Sequence, residues 1–256
     1  MVMHKLPLSV AIISYNEEDN IEKTLSAVSD IASEIIVVDS GSTDRTVEIA
    51  KSFGAEVFVE EWKGFREQKN SALKKCSHEW ILFLDCDEVV SQELKKSIIN
   101  AVKQPFAGGY MINRKTVYLG KPLNHAWQPD WNLRLVRKSA NPRWEGGDIH
   151  EYLVIDGKAS KIYGFLYHYS YRDIKDHFTK VVNYSYIAAQ EMHKKGKKSK
   201  MRKIFLNPLA SFIREYILKK GFLDGIRGLI VAVSATYYSF LKYIYLWEME
   251  KRDGKD

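Results

Sequence analysis

Residues 8–46 read LSVAIISYNEEDNIEKTLSAVSDIASEIIVVDSGSTDRT, and the fold is decided in this stretch. Leu8–Ser14 is a continuous apolar run rich in β-branched residues, as a parallel strand covered on both faces requires. Asn16–Asp30 follows with Ile21, Leu25 and Val28 at helical spacing. Glu34–Asp39 repeats the buried-strand pattern, and Ser40-Gly41-Ser42 makes a turn. Thr43–Phe53 reads as a second helix with Val47, Ile49 and Ala50 inward, and Gly54 has the place of its C-terminal cap. The alternation continues outward. Glu56–Val59 is a short strand, Phe65–Lys75 a helix, Glu79–Leu84 a strand ending at Asp85, and Gln92–Ala101 a helix. Such alternation specifies an α/β fold with a doubly wound, mostly parallel sheet, whose ligands sit outside the carboxyl ends of the strands.

Three polar clusters occupy those strand ends: Ser14-Tyr15-Asn16-Glu17-Glu18, Asp39-Ser40-Gly41-Ser42, and Asp85-Cys86-Asp87-Glu88. Each alone fits helix capping, by Asn16 or Ser42 for example. Three at successive strand ends are what a nucleotide pocket needs. Carboxylates at Asp85 and Asp87 can divide one task, the first holding a ribose hydroxyl and the second a hard divalent cation. A polar turn capping the next helix is the competing reading of that tetrapeptide.

The chain has 256 residues with 45% apolar content, ample for one large α/β domain with a helical appendage. Two cysteines, Cys76 and Cys86, do not make a disulfide framework, and no signal-peptide pattern precedes the first strand, so the cytosolic side of a membrane is the expected compartment. The net charge of +7 is uneven. Residues 1–170 carry 21 Lys and Arg against 23 Asp and Glu, whereas residues 171–256 carry 18 against 9. A polyanionic surface, anionic lipid or nucleic acid, is the partner such asymmetry suggests.

From Tyr110 to His168 the pattern is rich in aromatics, Gly and Arg, with short strand-like pieces at Leu133–Arg137 and Tyr152–Ile155. Asp173–His193 reads as a helix. Lys194–Lys203 (KKGKKSKMRK) holds seven basic residues in ten, and Phe205–Lys219 and Leu223–Met249 are apolar and aromatic. The charge-free run Gly228–Leu241 is shorter than the ~20 residues a span needs. Tyr237, Tyr238, Phe240, Tyr243, Tyr245 and Trp247 crowd its end, as at a headgroup interface. Residues 194–249 therefore read as a monotopic membrane-associating tail, peripheral on the cytoplasmic face of the inner membrane, or else as a helical pair packing on protein.

The segments SYNEEDNI (14–21), IIVVDSGSTDRT (35–46), KN (69–70) and FLDCDE (83–88) together resemble the inverting glycosyltransferases of family 2, which have the GT-A fold. PDWNLRLVRK (129–138), HEYL (150–153) and HYSYRD (168–173) resemble the branch that adds glucose to lipopolysaccharide core. The resemblance implies a GT-A domain over 1–171, with a donor half 1–105 and an acceptor half 106–171, followed by the helical tail 172–256. It implies a UDP-sugar donor, a lipid-linked glycan acceptor and a divalent cation, Mg²⁺ or Mn²⁺. Ser14 stands beside Tyr15 and Glu17, which would line base and ribose. Asp39 would accept from the uracil N–H, Lys69 would approach the diphosphate, Asp85 would hold the ribose, and Asp87 the metal.

Inverting transfer also needs a carboxylate that takes the acceptor hydroxyl proton. Glu151 stands about where the family places its base, although His150-Glu151 replaces the usual Glu-Asp pair; Asp130 and Asp148 are rivals. His168 is a candidate third ligand of metal or diphosphate, or a buried histidine satisfied by hydrogen bonds. His150 could orient Glu151 or bind acceptor. Arg134 and Arg137 could meet acceptor phosphate or lie on a solvated strand face. Trp127, Trp131 and Trp144 could stack on sugar or fill a core. Both cysteines read as structural. Two other classes of function compete. A nucleotidyltransferase would want a Gly-rich basic loop where this chain has acidic Tyr15–Asp19. A nucleic-acid-binding protein would use the basic third, but no nucleic-acid motif occurs and the aromatics do not interleave with Lys and Arg.

Overall fold

The computed structural model describes residues 5–147 and 150–253, with His150 for its backbone alone. Asp148 and the His150 side chain therefore lie outside the described residues. The chain divides into two compact units: Met1–Arg114 with Asp130–His168, and Lys115–Pro129 with Tyr169–Asp256. The expected linear boundary at 171 falls close to one junction, but the excursion 115–129 groups with the C-terminal helices.

The first unit begins with the expected alternation: β1 (Leu6–Ser14), α1 (Ile21–Ser26), β2 (Ala32–Asp39), α2 (Thr46–Ser52), β3 (Glu56–Val59), α3 (Phe65–Lys75) and β4 (Trp80–Asp85). After β4 come β5 (Glu88–Val90), α4 (Gln92–Lys103) and β6 (Gly109–Tyr118), whose last residues pair with β7 (Lys121–Pro122). Then follow β8 (Trp131–Arg137), β9 (Arg143–Gly147), β10 (His150–Val154) and β11 (Ala159–His168). The sheet runs β3-β2-β1-β4-β8-β6-β11-β5, while β9 and β10 form a separate antiparallel pair. Strands β3, β2, β1 and β4 are parallel. The apolar runs of β1, β2 and β4 are buried, with Leu8, Val10, Ile12, Ile36, Val37, Val38 and Leu82 each at most 1% exposed, while β3 at the sheet edge is only half-buried. Beyond β4 the sheet continues antiparallel through β8 and β6, and β5 pairs antiparallel with β11. Apart from β5, those additions come from the region whose pieces the sequence pattern left short.

Register sets the site. Ser14 pairs with Asp39, and Ile13 with Asp85, so three strand tips end at one level of the sheet. Helix α1 is much shorter than the expected Asn16–Asp30. Asn16 takes a left-handed conformation (φ 52°), which Asn tolerates better than most residues. The N–H groups of Asn16, Glu17 and Glu18 then bond to side chains of Ser42, Thr46 and Asp44, in the loop after β2 and at the start of α2, instead of entering a helix ladder. Asn16 Oδ1 in turn accepts from Thr43 N. The two strand-end loops are thereby interlocked, and Gly41 provides the positive φ (88°) that the second one needs.

In the second unit, α5 (Ile174–Lys194) is capped by Asp173, whose side chain accepts from Asp176 N. Helix α6 (Met201–Phe212) runs on as a π-helical stretch, Ile213–Leu218, then a 3₁₀ turn, Gly221–Asp224, and α7 (Ile226–Asp253). Asp224 accepts from the backbone N–H groups of Asn124, His125 and Ala126, and Arg227 donates to the carbonyls of Tyr118 and Leu119. These bonds account for the grouping of 115–129 with the helices. Trp127 belongs to this core, 5.7 Å from Tyr171 and 5.6 Å from His177 between ring centroids. His177 is buried, bonded to the Tyr118 hydroxyl at 2.8 Å, and burial pulls its pKa down to about 4. Helix α7 is long and apolar enough, by length and composition, to cross a membrane. Part of its charge-free run turns inward, however: Gly228, Val231, Ala232 and Ser234 are buried.

Candidate active site

Asp39 is fully buried at the tip of β2. Its Oδ1 accepts from the N–H groups of Gly41 and Ser42, and its Oδ2 from the hydroxyls of Ser14 and Ser42. A carboxylate has about four acceptor positions, so Asp39 is saturated by its own loop together with Ser14. Ser14, 4% exposed, supports Asp39 from the neighbouring strand. Tyr15 is 59% exposed, and Glu17 accepts from Asn20 Nδ2.

The strongest electrostatic feature starts at the tip of β4. Lys69, on the buried face of α3, places Nζ 3.0 Å from Asp85 Oδ1 and 2.9 Å from Glu151 Oε1, and 4.5 Å from the centre of the Trp144 ring. Asp85 Oδ2 is 2.9 Å from Arg134 Nη2, which also lies 2.7 Å from Glu88 Oε1. Arg114 stands 3.5 Å from Glu88 and 2.8 Å from Asp130. The series Glu151–Lys69–Asp85–Arg134–Glu88–Arg114–Asp130 alternates in sign from one candidate base to the other. Burial disfavours the charged form of Asp85, but Lys69 and Arg134 outweigh it and hold the carboxyl well below the usual range. Glu88, with no exposed surface, is pushed up by burial, which Arg134 only partly offsets.

Arg134 is thus a correction to the sequence reading. It is 4% exposed instead of lying on a solvated strand face, and it holds the carboxylates of Asp85 and Glu88. Arg137 does lie at the surface, paired with Glu79 at 3.1 Å. The sequence also gave no sign that Glu88 and Arg114 join Asp85 to Asp130. Asn70 explains why Lys69 meets Glu151. Its amide donates to Trp144 O at 3.0 Å and accepts from Trp144 N at 2.9 Å, pinning α3 to β9, whose partner β10 carries Glu151. The Lys69-Asn70 pair is visible in the sequence, but only the tertiary contact with Trp144 shows what Asn70 does.

A cleft of about 460 Å³ opens over this series and is lined by Lys69, Asp85, Trp131, Arg134, Trp144 and Glu151 among others. Asp130 is not among its lining residues, although its partners Arg114 and Asn132 are. Two buried donors beside the cleft, Arg134 Nε and Trp144 Nε1, have no hydrogen-bond partner. A larger groove of about 600 Å³ in the second unit is lined by Lys175, Phe178, Thr179, Val182, Val233 and Tyr237 and holds no carboxylate. Both cysteines are free and buried, and burial raises both thiols, Cys76 to about 12, which suits the structural reading.

Asp87 and His168 meet. Glu88 pairs with His168 across β5 and β11, and the preceding residue Asp87 has Oδ2 3.2 Å from His168 Nε2. Two ligands in adjacent positions of an octahedral Mg²⁺ or Mn²⁺ lie about 3 Å apart, so the pair fits a divalent cation by donor type and separation. No group of three His, Cys, Asp or Glu side chains gathers among the described residues. The remaining positions would fall to water and substrate phosphate, the usual arrangement for Mg²⁺.

Residues 9–152 match the family described as glycosyl transferase family 2. An uncharacterised glycosyltransferase of Rickettsia typhi is 30% identical over 94% of this chain and 87% of its own length. A lipopolysaccharide core biosynthesis glycosyltransferase, LpsC of Rhizobium meliloti, is 29% identical over 93% of this chain and 90% of its own. Among solved structures, a mannosyltransferase from Pyrobaculum calidifontis in complex with GDP-mannose and Mn²⁺ superposes with a TM-score of 0.52 at 15% identity, covering 99% of this chain and 89% of that one. The likeness establishes the GT-A-type architecture.

Proposed function

Since the chain belongs to glycosyl transferase family 2 and is a glycosyltransferase, we propose that it transfers glucose, with inversion, from UDP-glucose to a lipid-linked glycan such as lipopolysaccharide core. The observation that carries this reading is the placing of Glu151, Lys69 and Asp85 on one cleft at the carboxyl ends of the strands. The LpsC relative supports the class of acceptor.

Glu151 is the base. Lys69 holds its Oε1, which fixes the carboxylate and leaves Oε2 to take the acceptor hydroxyl proton. The acceptor oxygen then bonds to the anomeric carbon from the face opposite the leaving group. The bond from that carbon to the diphosphate oxygen breaks, and UDP departs. Asp85, kept ionised by Lys69 and Arg134, accepts a ribose hydroxyl. Lys69 adds positive charge on the diphosphate side. Asp39 reads the uracil N–H when the Ser42 hydroxyl turns away from Oδ2. Tyr15 and Glu17 border base and ribose. Asp87 and His168 would hold a divalent cation, which stabilises the charge developing on the diphosphate. Trp131, on the cleft, offers its ring to sugar, whereas Trp144 is buried in the core against Phe83 with Lys69 over its ring.

The test is the stereochemistry of the product. With UDP-glucose and Mn²⁺, proton NMR should show the α-linked donor glucose converted to a β-linked product. An α-linked product, or turnover with GDP-sugars in preference to UDP-sugars, contradicts the proposal.

A further inference from the structure

From Met201 to Leu218, solvent-exposed positions recur in pairs every four residues: 201/202, 205/206, 209/210, 213/214 and 217/218. A spacing of four keeps them on one slowly turning face of α6 and its π-helical continuation. The usual rule for a helix of a water-soluble protein is reversed on that face. Phe205, Leu206, Leu209, Ile213, Ile217 and Leu218 are 42–71% exposed, while the side turned to the protein holds Ile204, Pro208, Ser211 and Glu215. Phe222, Leu223 and Ile226 extend the apolar surface. Ten of the 25 large apolar side chains that are exposed among the described residues fall within 201–226.

Charge on this segment has one sign outward. It contains two acids, and neither is exposed. Glu215 is buried and paired with Arg214 and Lys219, and Asp224 is bonded to the backbone of 124–126. Arg202, Arg214 and Lys220 are exposed. The end of α5 and the adjoining linker add exposed lysines at 194, 195, 197, 198 and 200. An apolar face bordered by cations, without a carboxylate, complements an anionic bilayer: the aliphatic and aromatic side chains enter the acyl boundary and the basic ones meet headgroup phosphate.

We infer that Met201–Ile226, not the charge-free centre of α7, is the surface by which this protein docks peripherally on anionic lipid. The inference stands apart from the transfer reaction, because vesicle binding is read with neither donor nor acceptor present. The experiment is flotation of the full chain with phosphatidylglycerol–phosphatidylcholine vesicles and with phosphatidylcholine alone. The wild type should float with the anionic vesicles and at least about tenfold less with the neutral ones. The exposed triple substitution L209S/I213S/I217S should lower partitioning by about tenfold or more with an unchanged melting temperature. K197E/K198E/K200E should lose the preference for anionic lipid. Release of bound protein by alkaline carbonate supports a peripheral mode. Failure of the wild type to float, or flotation of the apolar triple variant equal to wild type, overturns the inference. Resistance to carbonate overturns it in favour of insertion by α7. A dimer in sedimentation that the triple variant abolishes, without vesicle binding, overturns it in favour of a second copy of the chain.

Discussion

Glu151→Gln is expected to lower turnover by about 10²–10⁴-fold, the usual contribution of a positioned general base. The substitution keeps the shape of the side chain and a hydrogen bond to Lys69, but its amide cannot take a proton. Donor affinity should stay within about threefold, since the proton is moved only in the transition state. The comparison that gives the result meaning is Asp130→Asn. Asp130 ends the same ion-pair series but does not line the cleft, and its carboxylate is engaged by Arg114 and Asn132. Its amide variant should keep turnover within about threefold of wild type. Steady-state UDP release measured on both variants decides between them. A large loss in Asp130→Asn with normal turnover in Glu151→Gln transfers the role of base to Asp130.

Arg134→Met is expected to destabilise the protein by about 3–5 kcal/mol, the usual cost of removing one partner from a buried ion pair. Methionine fills much of the volume but leaves Asp85 and Glu88 facing each other without the guanidinium that separates them. Glu88 has no exposed surface, so water cannot take the place of the lost cation. For a chain of this size the fall in melting temperature is about 6–20 °C, measurable by differential scanning fluorimetry. Glu88→Gln in the Arg134→Met background should recover part of the loss, because it removes one of the two carboxylates that Arg134 no longer bridges. An Arg134→Met melting temperature within about a degree of wild type would show that the ion-pair series does not hold the cleft together.

The parallel half of the sheet was legible because Leu8–Ser14, Glu34–Asp39 and Glu79–Leu84 are apolar on both faces and end abruptly in polar residues. Parallel register then delivers Ser14, Asp39 and Asp85 to one level at the strand ends. The short α1 was not legible. Ile21, Leu25 and Val28 do have helical spacing, but Asn16 leaves the helical region and side chains after β2 capture the backbone of 16–18. Arg134 escaped for a different reason. Alternation in Leu133–Arg137 suggests one wet face, yet Arg134, Leu135 and Val136 are all buried because β8 lies between β4 and β6 with both faces covered. Which carboxylates such an arginine meets is a matter of antiparallel pairing between distant segments, and no local pattern records it. The apolar content of 205–219 was equally visible, but its outward orientation depends on what α7 leaves uncovered.

The account depends on the strand-end carboxylates, with Lys69 and His168, acting as one receptor for a cation and a nucleoside diphosphate. Thermal-shift titration of UDP with and without Mn²⁺, on wild type and Asp87→Ala, tests this most directly, because a ligand bound only to the folded state raises the melting temperature by mass action. Wild type should show a rise of several degrees that requires the cation, and Asp87→Ala should melt normally when unliganded but lose the cation-dependent part. No response of the wild type to UDP, or an equal Mn²⁺-dependent rise in the variant, would contradict the account.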